Sequence, residues 1–111
     1  MQASSTNILF VCSRNQWRSP TAERIYRKDD SLNVRSAGVS ASAKRRVSER
    51  DLIWADIIIA MDASHADRLR SMIRHTKTNA KLHTLDIPDL YQFMDPELIN
   101  LLKKRIDPIL P

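Results

Sequence analysis

Two short apolar runs constrain this chain more than anything else in it. Ile8-Leu9-Phe10-Val11 and Ile57-Ile58-Ile59 are continuous rather than alternating. Strands of that kind are covered on both faces and belong to parallel sheets with helices above and below. Asn7 to Val11 reads as a first strand, Leu32 to Ala37 as a second, Ala55 to Met61 as a central third and Lys81 to Leu85 as a weaker fourth. Helix signals fall between them. Ser19 is a candidate N-cap with Pro20 in the first helical position, followed by Ala22, Ile25 and Tyr26 at helical spacing. Ser48 heads a short helix through Trp54, with Asp51 making an imperfect capping box. Asp62 or Ser64 starts a third helix whose inner face is His65, Leu69, Met72 and Ile73. Asp95 caps a fourth with Pro96 first and Leu98, Leu101, Leu102, Ile106 and Ile109 as its buried stripe. Right-handed crossovers then predict an α/β fold, a four-stranded parallel sheet with helices on both faces.

At 111 residues, 42% apolar and 28% charged, the chain suits one globular domain spanning 1–111, with residues 1–6 expected to be flexible. No apolar run approaches the roughly 20 residues needed to cross a bilayer, so no membrane association is expected. Met1 to Thr6 lack the basic start and apolar stretch of a secretory signal, and one cysteine has no disulfide partner. Both point to the cytoplasm. The net charge of +5 favours anionic partners, yet the basic residues are scattered, with one cluster at Lys44-Arg45-Arg46, and aromatics are only 5% of the chain. Nucleic-acid binding by interleaved charge and stacking is therefore not expected. A phosphorylated substrate suits the charge. His65, His75 and His83 are irregularly spaced and a lone cysteine excludes a thiolate zinc cluster, so neither metal nor cofactor is expected. Trp54, just before an apolar strand, reads as core.

Cys12 and Arg18 bracket five residues where the first strand hands over to a helix, with Arg14 between them. Unpaired amides and the helix dipole at such a junction favour anions and favour thiolate over thiol. Those are the needs of a cysteine that attacks phosphorus. Arg18 offers a planar fork for two phosphoryl oxygens, and Asn15 tolerates the left-handed backbone a tight loop requires. Gly38, the only glycine, marks a position other residues would fill poorly, and Val39 to Arg46 reads as a mobile loop. In parallel sheets ligands bind beyond the carboxyl ends of the strands, where Cys12 and the Asp86 to Met94 loop can meet.

The run from Cys12 to Glu23, CSRNQWRSPTAE, resembles the phosphate-binding loop and following helix of the low-molecular-weight protein tyrosine phosphatases. Ser36-Ala37-Gly38, Ala60-Met61-Asp62 and Ile87-Pro88-Asp89-Leu90-Tyr91 follow in the order that family would place them. The resemblance implies a flavodoxin-like three-layer sandwich with a phosphate-binding loop after the first strand. It also implies two-step phosphomonoester hydrolysis through a phosphocysteine. Cys12 would be the nucleophile, Arg18 the oxyanion clamp and Asp89 the general acid and base. Asp86 and Asp95 are rivals, although a strand end and a helix cap account for them. Ser19 would donate to the thiolate, Asn15 would hold the loop, and the amides of Ser13, Arg14, Asn15, Gln16, Trp17 and Arg18 would bind phosphate. Tyr91 is expected either to wall the cleft or to pack, and Trp17 to edge the pocket.

Departures from the family pattern are visible. Arg14 stands where glycine is common, Trp17 where many members have a second cysteine, and Leu90 where proline usually follows the acid. The chain is short after Gly38, which predicts a shallow cleft. Two other readings use the same residues. A non-catalytic module could bind phosphate or nucleic acid, but would need neither nucleophile nor acid. An arsenate reductase would need resolving cysteines that are absent.

Overall fold

The computed structural model describes residues 5–111. Four strands, β1 (Thr6–Cys12), β2 (Leu32–Gly38), β3 (Ile57–Ala60) and β4 (Lys81–Thr84), alternate with four helices, α1 (Arg18–Tyr26), α2 (Glu49–Trp54), α3 (Ala63–Ile73) and α4 (Pro96–Ile106). A single 3₁₀ turn, Asp107–Ile109, follows α4 and carries Ile109 beyond it. All three strand pairings are parallel, in the order β2-β1-β3-β4. The expected α/β sheet with helices on both faces is present. Of the stretch 1–6 expected to be flexible, residues 1–4 lie outside the described residues, and Thr6 is corrected to strand, paired with Leu32.

β1 explains why an apolar run needs two covering layers. Ile8, Phe10 and Cys12 face one core with Ala22 and Tyr26 of α1 and Leu98, Leu102 and Ile106 of α4. Leu9 and Val11 face the other, with Leu52 of α2 and Ala66 and Leu69 of α3. Each fully buried aliphatic side chain contributes about 1.5–3 kcal/mol, so neither face tolerates alternation with polar residues. Trp54 packs on the second core beneath the Arg35 guanidinium, 4.0 Å from its ring centroid. Met72 and Ile73 are partly buried and pack against the same core, and Ala66 joins His65 and Leu69 as the fully buried part of the inner face of α3.

Helix starts depend on where capping side chains are needed. Asp62, not Ser64, caps α3, accepting from the amides of Ser64 and His65. Asp95 caps α4 and the Ser48–Asp51 capping box of α2 is complete, both bonds being made. At α1 the expectation is corrected: the helix begins at Arg18 with Trp17 as an uncapped N-cap, placing Ser19 and Pro20 second and third. Proline is tolerated there because first-turn amides have no helical acceptor.

The stretch Val39 to Arg46 is also corrected, from mobile loop to tethered flap. Ser40 N and Lys44 N donate to the carbonyls of Ser13 (2.9 Å) and Arg14 (3.0 Å), while Gly38 exchanges bonds with Arg45 and Val47. Gly38 is required for close approach rather than for its φ. A Cβ there would lie 2.4 Å from Ser13 O and 2.9 Å from Asn15 N.

Candidate active site

β2 lies on one side of β1 and β3 on the other, so the strand order reverses at β1, and Cys12 is its last residue. That is the switch point at which doubly wound sheets bind ligands. The chain leaves it in a tight loop whose one left-handed residue is Asn15, at φ 54°. The backbone amides of residues 13–17 donate to no acceptor among the described residues. With the uncapped start of α1 behind them, they form a concave set of donors that suits an anion.

Cys12 is 3% exposed, yet its sulfur does not face hydrocarbon alone. Sγ lies 3.0 Å from Ser19 Oγ and the residue lines a cavity of about 220 Å³ together with Ser13, Arg14, Gln16, Trp17, Arg18 and Asp89. A directed chain of bonds orients the serine. Asn15 Nδ2 donates to Ser19 Oγ (3.1 Å) and to Ser36 Oγ (2.9 Å), and Ser36 Oγ donates to Glu23 Oε1 (2.5 Å). With its oxygen accepting from Asn15, the Ser19 hydroxyl has its proton for the sulfur at 3.0 Å or for Ala37 O at 3.4 Å, and the nearer, anionic acceptor is favoured once the thiol ionises. This task explains why Ser19 does not cap the helix.

Arg18 is 4% exposed and points inward. Its Nη1 donates to Asp62 Oδ2 (3.0 Å) and Ile87 O (2.9 Å), and Nε lies 3.6 Å from Asp89 Oδ1. Nη2 has no hydrogen-bond acceptor among the described residues and remains for a ligand, while Nε faces the Asp89 carboxylate. Desolvation opposes the charge of Asp62, but the Ser64 hydroxyl and Arg18 outweigh it, with His65 contributing, and hold its carboxyl down at about 2. His65 lies buried behind this pair, its Nδ1 unbonded and 3.5 Å from Asp62 Oδ1. Burial lowers its pKa against the opposing charge of Asp62; Arg18 lowers it further. It is a packed neutral imidazole, and no cluster of His, Cys, Asp or Glu suited to a metal occurs among the described residues.

Asp89 sits at the cavity mouth, 61% exposed at its side chain. Asp95 is engaged in capping α4, and Asp86 is exposed and not part of the cavity lining. Tyr91 is half-buried against the core and absent from the cavity lining. Arg14 is exposed without a left-handed backbone, so the loop accommodates it where glycine is common. The cavity, at about 220 Å³, is smaller than the roughly 300 Å³ of ordinary ligand pockets.

Sequence reasoning treated Asp62 only as a helix start and missed Ser36, Glu23 and Thr21. Thr21 Oγ1 donates to Trp17 O (2.7 Å) and accepts from Met94 N (3.0 Å), joining the phosphate loop to the Asp89 loop. A signal was present for all four, Thr21 and Glu23 lying in the run from Cys12 to Glu23. Ser36 and Asp62 lie in the Ser36-Ala37-Gly38 and Ala60-Met61-Asp62 segments at the carboxyl ends of β2 and β3, which open onto the same edge.

A cysteine set in a ring of free amides at the switch point of a doubly wound sheet defines a class, the cysteine-based phosphatases. The family model for low molecular weight phosphotyrosine protein phosphatase matches residues 7–53. The curated low molecular weight protein-tyrosine-phosphatase YfkJ of Bacillus subtilis is 34% identical over 124 aligned positions, covering 81% of this chain and 80% of its own length. The crystal structure of YfkJ superposes with a TM-score of 0.67 at 27% identity, over 94% of this chain and 91% of that one. The fold is shared also with the low molecular weight protein tyrosine phosphatase of Streptococcus pyogenes, at a TM-score of 0.74 and 18% identity over 96% and 94% of the two chains. The chain belongs to the low-molecular-weight phosphotyrosine protein phosphatase family.

Proposed function

We propose that this cysteine-dependent phosphatase hydrolyses aryl phosphomonoesters, phosphotyrosine in a polypeptide foremost, with Cys12, Arg18 and Asp89 as its catalytic residues. One observation carries the assignment: Cys12, Arg18 and Asp89 border a single small cavity. The free amides of residues 13–17 and Nη2 of Arg18 bind the three non-bridging oxygens. Cys12 thiolate forms the S–P bond as the bond from phosphorus to the ester oxygen breaks. Asp89 gives that oxygen its proton, so the leaving group departs as a neutral alcohol. Water then attacks the phosphocysteine, Asp89 takes its proton, and the S–P bond breaks to release phosphate. The Ser19 hydroxyl, 3.0 Å from the sulfur, stabilises the departing thiolate.

The YfkJ name specifies protein tyrosine, and the size of the cavity supports the same substrate here: it admits the phosphoryl group while the rest of a large substrate stays outside. Among the described residues no helix is long and apolar enough to cross a membrane. A catalytic thiol without a second cysteine to protect it supports action in a reducing compartment such as the cytoplasm. The two cores share one sheet, which supports a single domain.

The test compares aryl phosphate turnover of the parent with Cys12→Ser, Asp89→Asn and Asp86→Asn, with vanadate as competitor. Cys12→Ser is expected to abolish turnover, Asp89→Asn to lower it about 10²–10⁴-fold, and Asp86→Asn to leave it unchanged. Parental turnover in Cys12→Ser would sink the mechanism. A silent Asp89→Asn beside a crippled Asp86→Asn would reassign only the acid.

A further inference from the structure

Next to the phosphate cavity lies a second groove, of about 400 Å³, lined chiefly by Gln16, Trp17, Pro20, Glu23, Lys44 and Phe93. Gln16 and Trp17 border both this groove and the phosphate cavity, so the two adjoin. Phe93 presents a large apolar side chain at 45% exposure.

That exposure is built rather than loose. Met94, the next residue, is held left-handed at φ 63°, and its amide donates to Thr21 Oγ1, a buried residue of α1. A non-glycine residue in that conformation costs roughly 1–2 kcal/mol, and such outliers persist where surrounding structure enforces them. The turn fixes Phe93 at the groove that Trp17 also lines. Lys44, which lines the same groove, is anchored by its own amide to Arg14 O (3.0 Å), and its ammonium has no carboxylate partner among the described residues. The one acid in the groove, Glu23, already accepts from Ser36.

Resting on the phosphatase reading, we infer that this groove receives the segment of a polypeptide substrate flanking its phosphoresidue, an apolar side chain against Trp17 and Phe93 and an acidic one toward Lys44. The phosphate cavity alone encloses little beyond the phosphoryl group, so discrimination between substrates falls to the surface adjoining it. Apolar contact with the two aromatic residues supplies affinity, and the unpaired ammonium selects the charge.

The experiment measures kcat/KM for p-nitrophenyl phosphate and for phosphotyrosyl peptides in parent, Phe93→Ala and Lys44→Glu proteins. One peptide set carries an apolar–acidic pair on the amino side, one on the carboxyl side, and one carries glycines on both. The parent is expected to prefer one apolar–acidic peptide over the glycine peptide by about tenfold, the worth of some 50 Å² of apolar contact. Phe93→Ala and Lys44→Glu should each erase most of that preference and leave p-nitrophenyl phosphate within twofold, which also shows that they fold. Equal parental rates on all peptides would overturn the groove's role while the phosphatase stands. So would variants that slow the small ester as much as the peptide. A parent inactive on every ester would overturn the phosphatase reading, and the groove with it.

Discussion

Replacing Gly38 with alanine should damage the phosphate loop through one added methyl group. Gly38 has no left-handed φ, so alanine meets no backbone penalty there and the effect is purely steric. The new Cβ would lie 2.4 Å from Ser13 O, 2.6 Å from Ala43 Cβ and 2.9 Å from Asn15 N, where ordinary contact begins at 3.4 Å. Two of the three are backbone atoms of the loop that surrounds Cys12, and the loop has to retreat by about 1 Å at Ser13. Overpacking of this kind costs about 1–3 kcal/mol, and rigid backbone on the receiving side puts the cost near 3. For a chain of this length that lowers Tm by roughly 10 °C. The same 1 Å retreat displaces amides that grip the phosphoryl oxygens, a misplacement worth about a hundredfold in turnover. Thermal melts and steady-state hydrolysis of an aryl phosphate measure the two effects on one preparation. Adding Ala43→Gly relieves only the side-chain contact and should restore little. Parental Tm and kcat/KM in Gly38→Ala would refute the reasoning, as would complete rescue by Ala43→Gly, which would place the strain in the flap instead of the phosphate loop.

Ser19→Ala removes the donor to Cys12 Sγ; a hydrogen bond to a charged group is worth about 1.5–3 kcal/mol, so kcat should fall about 10- to 100-fold with phosphoenzyme accumulating on rapid mixing. Parental kcat would show that the 3.0 Å contact has no role in thiolate departure. His65 titrates below its ordinary 6.5 in the fold because burial disfavours its charge, while the unfolded chain takes up its proton at about 6.5. The unfolded state binds more protons below that point, so stability falls as pH drops from about 6.5 toward the depressed value. Urea titrations at pH 7.5 and 5.5 should show the loss, and His65→Gln should flatten it; an unchanged slope in the variant would assign the loss elsewhere. Asp62, held at about 2 against an ordinary 3.8, contributes stability present above 3.8 and lost as pH falls through about 2. With its side chain one-third exposed, screening reduces this to about 1 kcal/mol. Asp62→Asn, which keeps the cap, should remove that increment at pH 5 and make little difference near pH 2, as read from denaturant midpoints.

Residue type and spacing along the chain were enough to establish the sheet, its parallel strands and the loop after Cys12. Ile8 to Val11 can be buried on two faces only if helices cover both, and amides between a strand and a helix start have few places to go except a ligand. Those are local consequences of periodicity and of backbone donors. The flap, the partners of Arg18 and the bonds that aim Ser19 are different in kind. Asp62 lies 44 residues from Arg18, Ile87 lies 69 from it, and Met94 is 73 from Thr21. Nothing in local sequence tells a capping aspartate from one that also holds a guanidinium, or a helix-capping serine from one turned toward a sulfur. Tertiary structure decided these, because the carboxyl ends of β1, β2 and β3 meet at one edge. Only there do the side chains that follow each strand compete for the same few hydrogen-bonding atoms.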